Sequence, residues 1–209
     1  EVKDYIPRTK SLLQSSEKVV AGLAPSFPAF SPELSLNEWK SYLYRLGFDG
    51  VYEVAWGAEL MIEEYKNYLA NTDDLIISTA CPVIVDYVKK YYPQLVDNLA
   101  PITSPMGALI RYLEEVENEE NIVLIGPCHA KKSEFEEIVL TYSELSELGK
   151  TVLAEDIFEM QPEIADIEKN KNSSFSREAY PDSAARNIPL SGGLLEAVSK
   201  NYSETPEGF

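Results

Sequence analysis

The sequence is poor in the residues that staple, relay or anchor. Only two of its 209 residues are cysteine, Cys81 and Cys128, and neither stands in a CxxC or zinc-finger spacing. A disulfide framework is therefore excluded, and both are expected as thiols: small buried hydrophobes, nucleophiles or metal ligands. A single histidine, His129, leaves any Ser-His-Asp or Cys-His arrangement dependent on it. Adjacent to Cys128, it would point elsewhere in most backbones, so cysteine-hydrolase chemistry is a weak reading. Basic residues are scarce, 18 against 35 acidic for a formal charge of −17, and such a chain repels a phosphate backbone; nucleic acid is not an expected partner. No run of eighteen apolar residues occurs, and no apolar segment follows a basic N-terminus. Neither a membrane span nor a signal peptide is expected, and the chain reads as soluble and cytoplasmic. Phosphate-loop and dinucleotide-binding glycine patterns are absent, as is a G-x-S-x-G elbow, which sets aside standard nucleotide binding and α/β-hydrolase chemistry.

What is present is the alternation of an α/β protein, with 44% hydrophobic residues, enough for a real core. Lys18 to Ala24 reads as a buried strand that ends at Pro25, Ser26, Phe27 and Pro28. Ser35 with Glu38 has capping-box spacing for a helix to Leu46, stopped by Gly47. Val51 to Trp56 reads as a second strand and Gly57 to Leu69 as a second helix. Asp74 to Thr79 reads as a third strand, broken at Cys81-Pro82 and followed by a helix to Tyr92. After the turn at Pro101 to Pro105 come a helix from Met106 to Val116, a strand from Asn121 to Ile125, and Gly126-Pro127-Cys128. Ile138 to Leu140 is a short fifth strand, and Thr141 with Glu144 repeats the capping-box spacing. Strands too apolar to alternate faces, separated by helices, indicate parallel strands covered on both sides. Residues 155–182 are polar and weakly periodic, as in a long loop; Ile188 to Ser191, Gly192-Gly193 and LLEAV restore a strand, turn and helix start. The expected fold class is α/β, parallel sheets flanked by helices in two βαβ-type lobes with a cleft between them. The expected segments are an N-terminal helix or linker over 1–16, a first lobe over 17–118 holding Cys81, and a second over 119–209 holding Cys128.

In open parallel sheets ligands collect beyond the carboxyl ends of strands, where this sequence puts Pro25-Ser26, Gly57, Cys81-Pro82 and Pro127-Cys128. From topology, the two thiols could converge on one crevice. Cys81 just before a helix, and Cys128 followed by His129, Lys131 and Lys132, both have surroundings that favour a thiolate. The alternative for the lysines is a solvated helix start paired with Glu134, Glu136 and Glu137.

Taken in order, six stretches resemble the large-subunit catalytic domain of the iron-only hydrogenases. They are Leu23-Ala24-Pro25-Ser26-Phe27; Val54-Ala55-Trp56-Gly57-Ala58-Glu59; Ser78-Thr79-Ala80-Cys81-Pro82 with Tyr91-Tyr92-Pro93; Thr103-Ser104-Pro105; Gly126-Pro127-Cys128-His129-Ala130-Lys131-Lys132-Ser133-Glu134; and Ser191-Gly192-Gly193-Leu194-Leu195-Glu196-Ala197. The resemblance implies a parent that binds a 4Fe-4S cubane joined to a two-iron subcluster and interconverts protons and electrons with hydrogen. It implies Cys81 and Cys128 as two of four cubane ligands and Lys131 as a donor to a cyanide ligand, paired with Glu134. Pro25, Ser26, Pro105 and Pro127 are implied in the lining of the two-iron pocket. Partners implied are hydrogen, protons and a ferredoxin-like electron-transfer domain or protein.

Three departures qualify the resemblance. Ala80 stands where the fast enzymes carry a proton-donating cysteine. Tyr65 stands where the relay glutamate falls, with Glu63 and Glu64 nearby. The motif that carries the last two cubane cysteines would lie beyond Phe209. The expectation is an excised piece of a longer oxidoreductase, slow or hydrogen-sensing, itself inactive and without an intact cluster. The alternative is a non-catalytic iron-sulfur or scaffold homologue of the same fold.

Overall fold

The computed structural model describes residues 3–154 and Ile157. Within these, packing gathers the chain into two compact units, one from residues 3–53 with 113–154 and 157, the other from residues 54–112. The division is interleaved along the chain, unlike the contiguous segments 17–118 and 119–209 drawn from the order of elements.

The first unit opens with α1 (Ile6–Leu13), whose first turn takes a hydrogen bond from Ile6 N–H to Asp4 Oδ1 at 3.0 Å. Next come β1 (Val20–Leu23) and α2 (Leu36–Leu46). The capping box forms as the sequence indicates: Glu38 N–H donates to Ser35 Oγ, and the Glu38 carboxylate accepts from Ser35 N–H. The Ser35 hydrogen bonds hold the Glu38 carboxyl below its ordinary 4.5. Gly47 ends α2 with φ 111°, a left-handed conformation that a Cβ would strain. β2 (Gly50–Glu53) follows.

Helix α3 (Val54–Leu69) begins at once after β2, so the second strand ends three residues before Trp56 and the helix takes Val54, Ala55 and Trp56. Gly57, expected as the first residue of the helix, is its fourth. It lies inside the helix because another backbone crosses there, as described below.

The expected third strand does not form. Residues 74–79 make one isolated parallel bridge, Ile77 with Leu99, and join no ladder. Ile76 of this stretch, with Ala80 and Ile102 beyond it, lies against a core of Ala58, Met61, Ile62, Tyr65 and Ala100, while Leu75 is exposed. Neither the strand nor its full burial forms, since a short apolar run does not distinguish strand from partly packed loop. After it come α4 (Pro82–Tyr91) and α5 (Pro105–Glu115).

The remaining elements are β3 (Ile122–Gly126), β4 (Ile138–Thr141) and α6 (Tyr142–Val152). All described strands lie in one four-stranded parallel sheet of order β2-β1-β3-β4. The α/β class and the helix-flanked parallel sheet stand as read from the sequence. Among the described residues the unit over 54–112 contributes helices and the single bridge. Every strand residue is buried, as expected of a parallel sheet covered on both faces. The core of this unit sets Trp39, Tyr42, Leu43 and Phe48 beside Val123, Ile125, Leu140 and Leu145. The strand and glycine turn expected over 188–198, and the loop expected over 155–182 except Ile157, lie outside the described residues.

Candidate functional site

The chain leaves β1 for β2 on one side, and β3 and β4 lie on the other, so the strand order switches direction between β1 and β3. Beyond the carboxyl ends of two such strands a parallel sheet leaves a crevice, the usual ligand position. The register places Leu23 opposite Ile125, and Ala24 N–H donates to Ile125 O at 2.8 Å. The next residues of the two strands, Pro25-Ser26 and Pro127-Cys128, therefore leave the sheet side by side at the switch point. Four of the residues singled out in the sequence are brought to one sheet edge.

Cys128 caps a short 3-10 turn, His129–Ser133, which the sequence reading did not contain. This turn aims its two lysines differently. Lys131 Nζ donates to Glu134 Oε2 at 2.6 Å, and their side chains are 12% and 18% exposed, so the pair is largely withdrawn from water. Lys132 is buried. Its ammonium contacts the Glu144 carboxylate, donates to Lys3 O at 2.7 Å and lies 5.5 Å from the Tyr5 ring centroid. The reading of both lysines as a solvated helix start is thus corrected, because the turn packs back onto the β4–α6 junction.

Glu144 serves twice, as partner of Lys132 and as the capping-box acceptor of Thr141 N–H and Thr141 Oγ1, both at 2.8 Å. Burial raises its carboxyl pKa, but the Lys132 and Thr141 hydrogen bonds outweigh burial and hold it below the ordinary 4.5. A carboxyl depressed on folding contributes stability that is complete above 4.5 and is lost as pH falls through the folded value. Melting temperature should therefore drop between about pH 5 and about pH 3, and more gently in Glu144→Gln than in the wild-type chain. Parallel curves in thermal melts across that range would remove Glu144 from the acid response.

Ser26 is oriented by Tyr142. The Tyr142 hydroxyl donates to Ala24 O at 3.0 Å and lies 3.0 Å from Ser26 Oγ. Its one proton is committed to the carbonyl, so Ser26 is the donor in the second bond. Burial pushes the Tyr142 phenol well above its usual range, against the Ser26 hydrogen bond that lowers it, so the phenol stays neutral. Nothing in the sequence singled out Tyr142, since an aromatic at a helix start reads as core.

In the other unit, Cys81 is exposed and caps α4. It does not follow a strand of the sheet, contrary to expectation; the bridge at Ile77 is what precedes it. Pro105 begins α5, and its carbonyl meets α3 at Gly57, where a Cβ would stand 2.2 Å from Pro105 O. Trp56 of α3 stacks edge-on against Tyr112 of α5 at 5.9 Å.

Among the described residues no group of three or more His, Cys, Asp or Glu side chains could hold a metal ion. The donors at the β1/β3 switch point fit one part of an anionic iron-sulfur group: the Cys128 thiol, of the kind iron prefers, and the withdrawn Lys131 ammonium, suited to a negative ligand. Two cysteines are half of what a cubane needs. No helix among the described residues is long and apolar enough to cross a membrane.

A family model described as iron only hydrogenase large subunit, C-terminal domain, matches residues 17–208. The chain is similar to Iron hydrogenase 1 of Clostridium pasteurianum, 25% identical over 235 residues that cover 98% of this chain and 40% of the relative. Among solved structures it is similar to a variant of the FeFe-hydrogenase HydA1 from Chlamydomonas reinhardtii. The TM-score is 0.66 at 21% identity, over 77% of this chain and 50% of that one. A structure of HydA(deltaEFG), described as revealing stepwise FeFe-hydrogenase H-cluster assembly, matches with TM-score 0.64 at 20% identity, over 77% and 49%. The chain thus spans 40% of the curated relative and about half of the solved structures.

Proposed function

Because this chain belongs to the family of the iron-only hydrogenase large subunit, C-terminal domain, we propose that it forms part of a longer oxidoreductase. That protein would bind an iron-sulfur cluster with a two-iron subcluster, and interconvert protons and electrons with hydrogen. The observation that carries the reading is the sheet edge at the β1/β3 switch point, where Pro25-Ser26 and Pro127-Cys128 emerge side by side with the Lys131–Glu134 pair next in the chain.

When bound, the cluster would supply electron storage and the metal at which hydrogen is made or split. The chain's own residues would have these tasks. Cys81 and Cys128 contribute two thiolates to the cubane; the other two ligands lie outside this chain's cysteine complement. Lys131, held by Glu134 at 2.6 Å, offers its ammonium to an anionic ligand and offsets a charge that is costly to bury. Ser26, its hydroxyl fixed by Tyr142, and the N–H-free Pro25 and Pro127 would line the two-iron subcluster and limit water; the resemblance gives Pro105 the same task. Ala80 has no exchangeable side-chain proton, so the full protein is slow or hydrogen-sensing. It takes electrons from a ferredoxin-like domain or protein and works in the cytoplasm.

The test is anaerobic maturation of the full-length protein, followed by iron counting and hydrogen assay for wild type, Cys81→Ser and Cys128→Ser. Each serine variant should lose at least about half of the bound iron and all hydrogen evolution, because a cubane missing one of four thiolates is labile. Full iron in either variant would remove that cysteine from the ligand set. A wild type that holds a cubane but neither makes nor consumes hydrogen would favour a non-catalytic iron-sulfur homologue.

A further inference from the structure

The segment before Cys81 lacks a sheet to hold it, and a different device takes that place. Ile77 is fixed through its backbone: its N–H donates to Asn98 O at 2.7 Å, and its carbonyl accepts from Ala100 N–H at 2.9 Å. The next two residues are tied to α3 through one hydroxyl. Tyr65 OH donates to Ser78 Oγ at 3.1 Å, accepts the N–H of Thr79 at 3.1 Å and lies 3.4 Å from Thr79 Oγ1. Thr79 Oγ1 in turn donates to Ala100 O at 3.1 Å and also reaches Ile102 O. Beyond this knot the backbone is fixed again, since Cys81 O accepts from Ile84 N–H at 3.1 Å and from Val85 N–H at 3.2 Å in the first turn of α4. Tyr65 itself is buried in the 58–102 core. Its ring is thus immobilised, and its hydroxyl ties α3 to this segment.

We propose that Tyr65 is a positioning residue for Cys81: its hydroxyl clamps Ser78 and Thr79 so that the thiol is presented in one place before iron arrives. The inference rests on Cys81 being a cluster ligand, as proposed above. A preorganised ligand gives up less conformational freedom when metal binds, and each lost hydroxyl contact in the 78–81 turn returns that freedom to the thiol. The sequence offers this position as a missing relay glutamate; the geometry gives the tyrosine a role of its own.

Tyr65→Phe removes one oxygen and leaves the ring in its core. In the full-length protein, backbone amide exchange at Thr79 and Ala80 should speed up on the order of tenfold, with the amides of β1 and β3 unchanged. Iron release from the matured protein to a chelator should accelerate by about the same factor, and the paramagnetic spectrum of the reduced cluster should broaden. Wild-type exchange at Thr79, or faster exchange there with unchanged iron release and spectrum, would overturn the proposal. So would a uniform rise in exchange across α3 and β3, which would mark a general loss of stability. Cys81→Ser separates the two readings: if that variant keeps its iron, the ligand assignment fails and the positioning role fails with it. If Cys81→Ser loses iron while Tyr65→Phe behaves as wild type, the positioning role alone fails.

Discussion

Replacing Ala80 by cysteine in the full-length protein is expected to raise hydrogen evolution by about a hundred- to ten-thousandfold, the usual range for a positioned general acid. The residue is adjacent to Cys81 in the chain, and a methyl group there can neither give nor take a proton. Its surroundings can take the change. Ala80 is part-buried against the Tyr65 core, its N–H donates to Ser78 Oγ at 3.4 Å, and a cysteine adds a single sulfur. Both proteins would be matured identically and assayed with the same reductant, with iron content as the check that loading is equal. Equal turnover at equal iron would mean that protons arrive by another route and that Ala80 is not what slows the protein.

Gly57→Ala should destabilise the chain by roughly 3 kcal/mol or more, at the upper end of what overpacking costs. In an ordinary helix the same change is favourable by about 1 kcal/mol, because alanine is the better helix former. Here the new Cβ would stand 2.2 Å from Pro105 O, 2.7 Å from Leu109 N and 2.9 Å from Leu109 Cβ. Two of those neighbours are backbone atoms that cannot rotate away, so α3 and α5 must part. Asn67→Ala, at an exposed position of the same helix, is the matched control and should be neutral or slightly stabilising. If both variants melt alike, the close approach is not rigid. Because Pro105 is a proposed pocket residue, Gly57→Ala should also lower cluster loading in the protein that still folds.

How legible this was in the sequence depended on whether the signal was local. Ser35 with Glu38, Gly47, and Thr141 with Glu144 each satisfy backbone groups within four residues, and all three were read correctly. The strands at 20–23, 122–126 and 138–141 were found because both their faces are buried, which makes them continuously apolar. Asp74 to Thr79 failed because nothing in an apolar run names its partner: Leu75 is exposed, and Ile76 packs against helix side chains instead of a strand. Gly57 was placed at the start of its helix, and the reason for a glycine there was not legible because the atom it avoids belongs to residue 105. Lys132 and Tyr142 were invisible for the same reason: one is buried by contacts to Lys3 and Glu144, the other orients a serine more than a hundred residues earlier. The proposed site was legible as motifs, through resemblance, and as geometry only where the sheet register joins Pro25-Ser26 to Pro127-Cys128.

The order β2-β1-β3-β4 also governs when this edge can exist. β1 has β2 within reach some thirty residues on, but its other neighbour, β3, starts about a hundred residues later in the chain, at Ile122 against Val20. Closing a loop of that length is slow compared with forming local helices. On the ribosome, β1 must wait with one side unpaired until residue 126 has emerged, by which time α3, α4 and α5 have all been made. An unpaired β1 edge is open to the wrong partner throughout that interval. The cradle around Ser26 and Cys128 is consequently a late product of synthesis, and any metal delivered earlier would meet Cys81 alone.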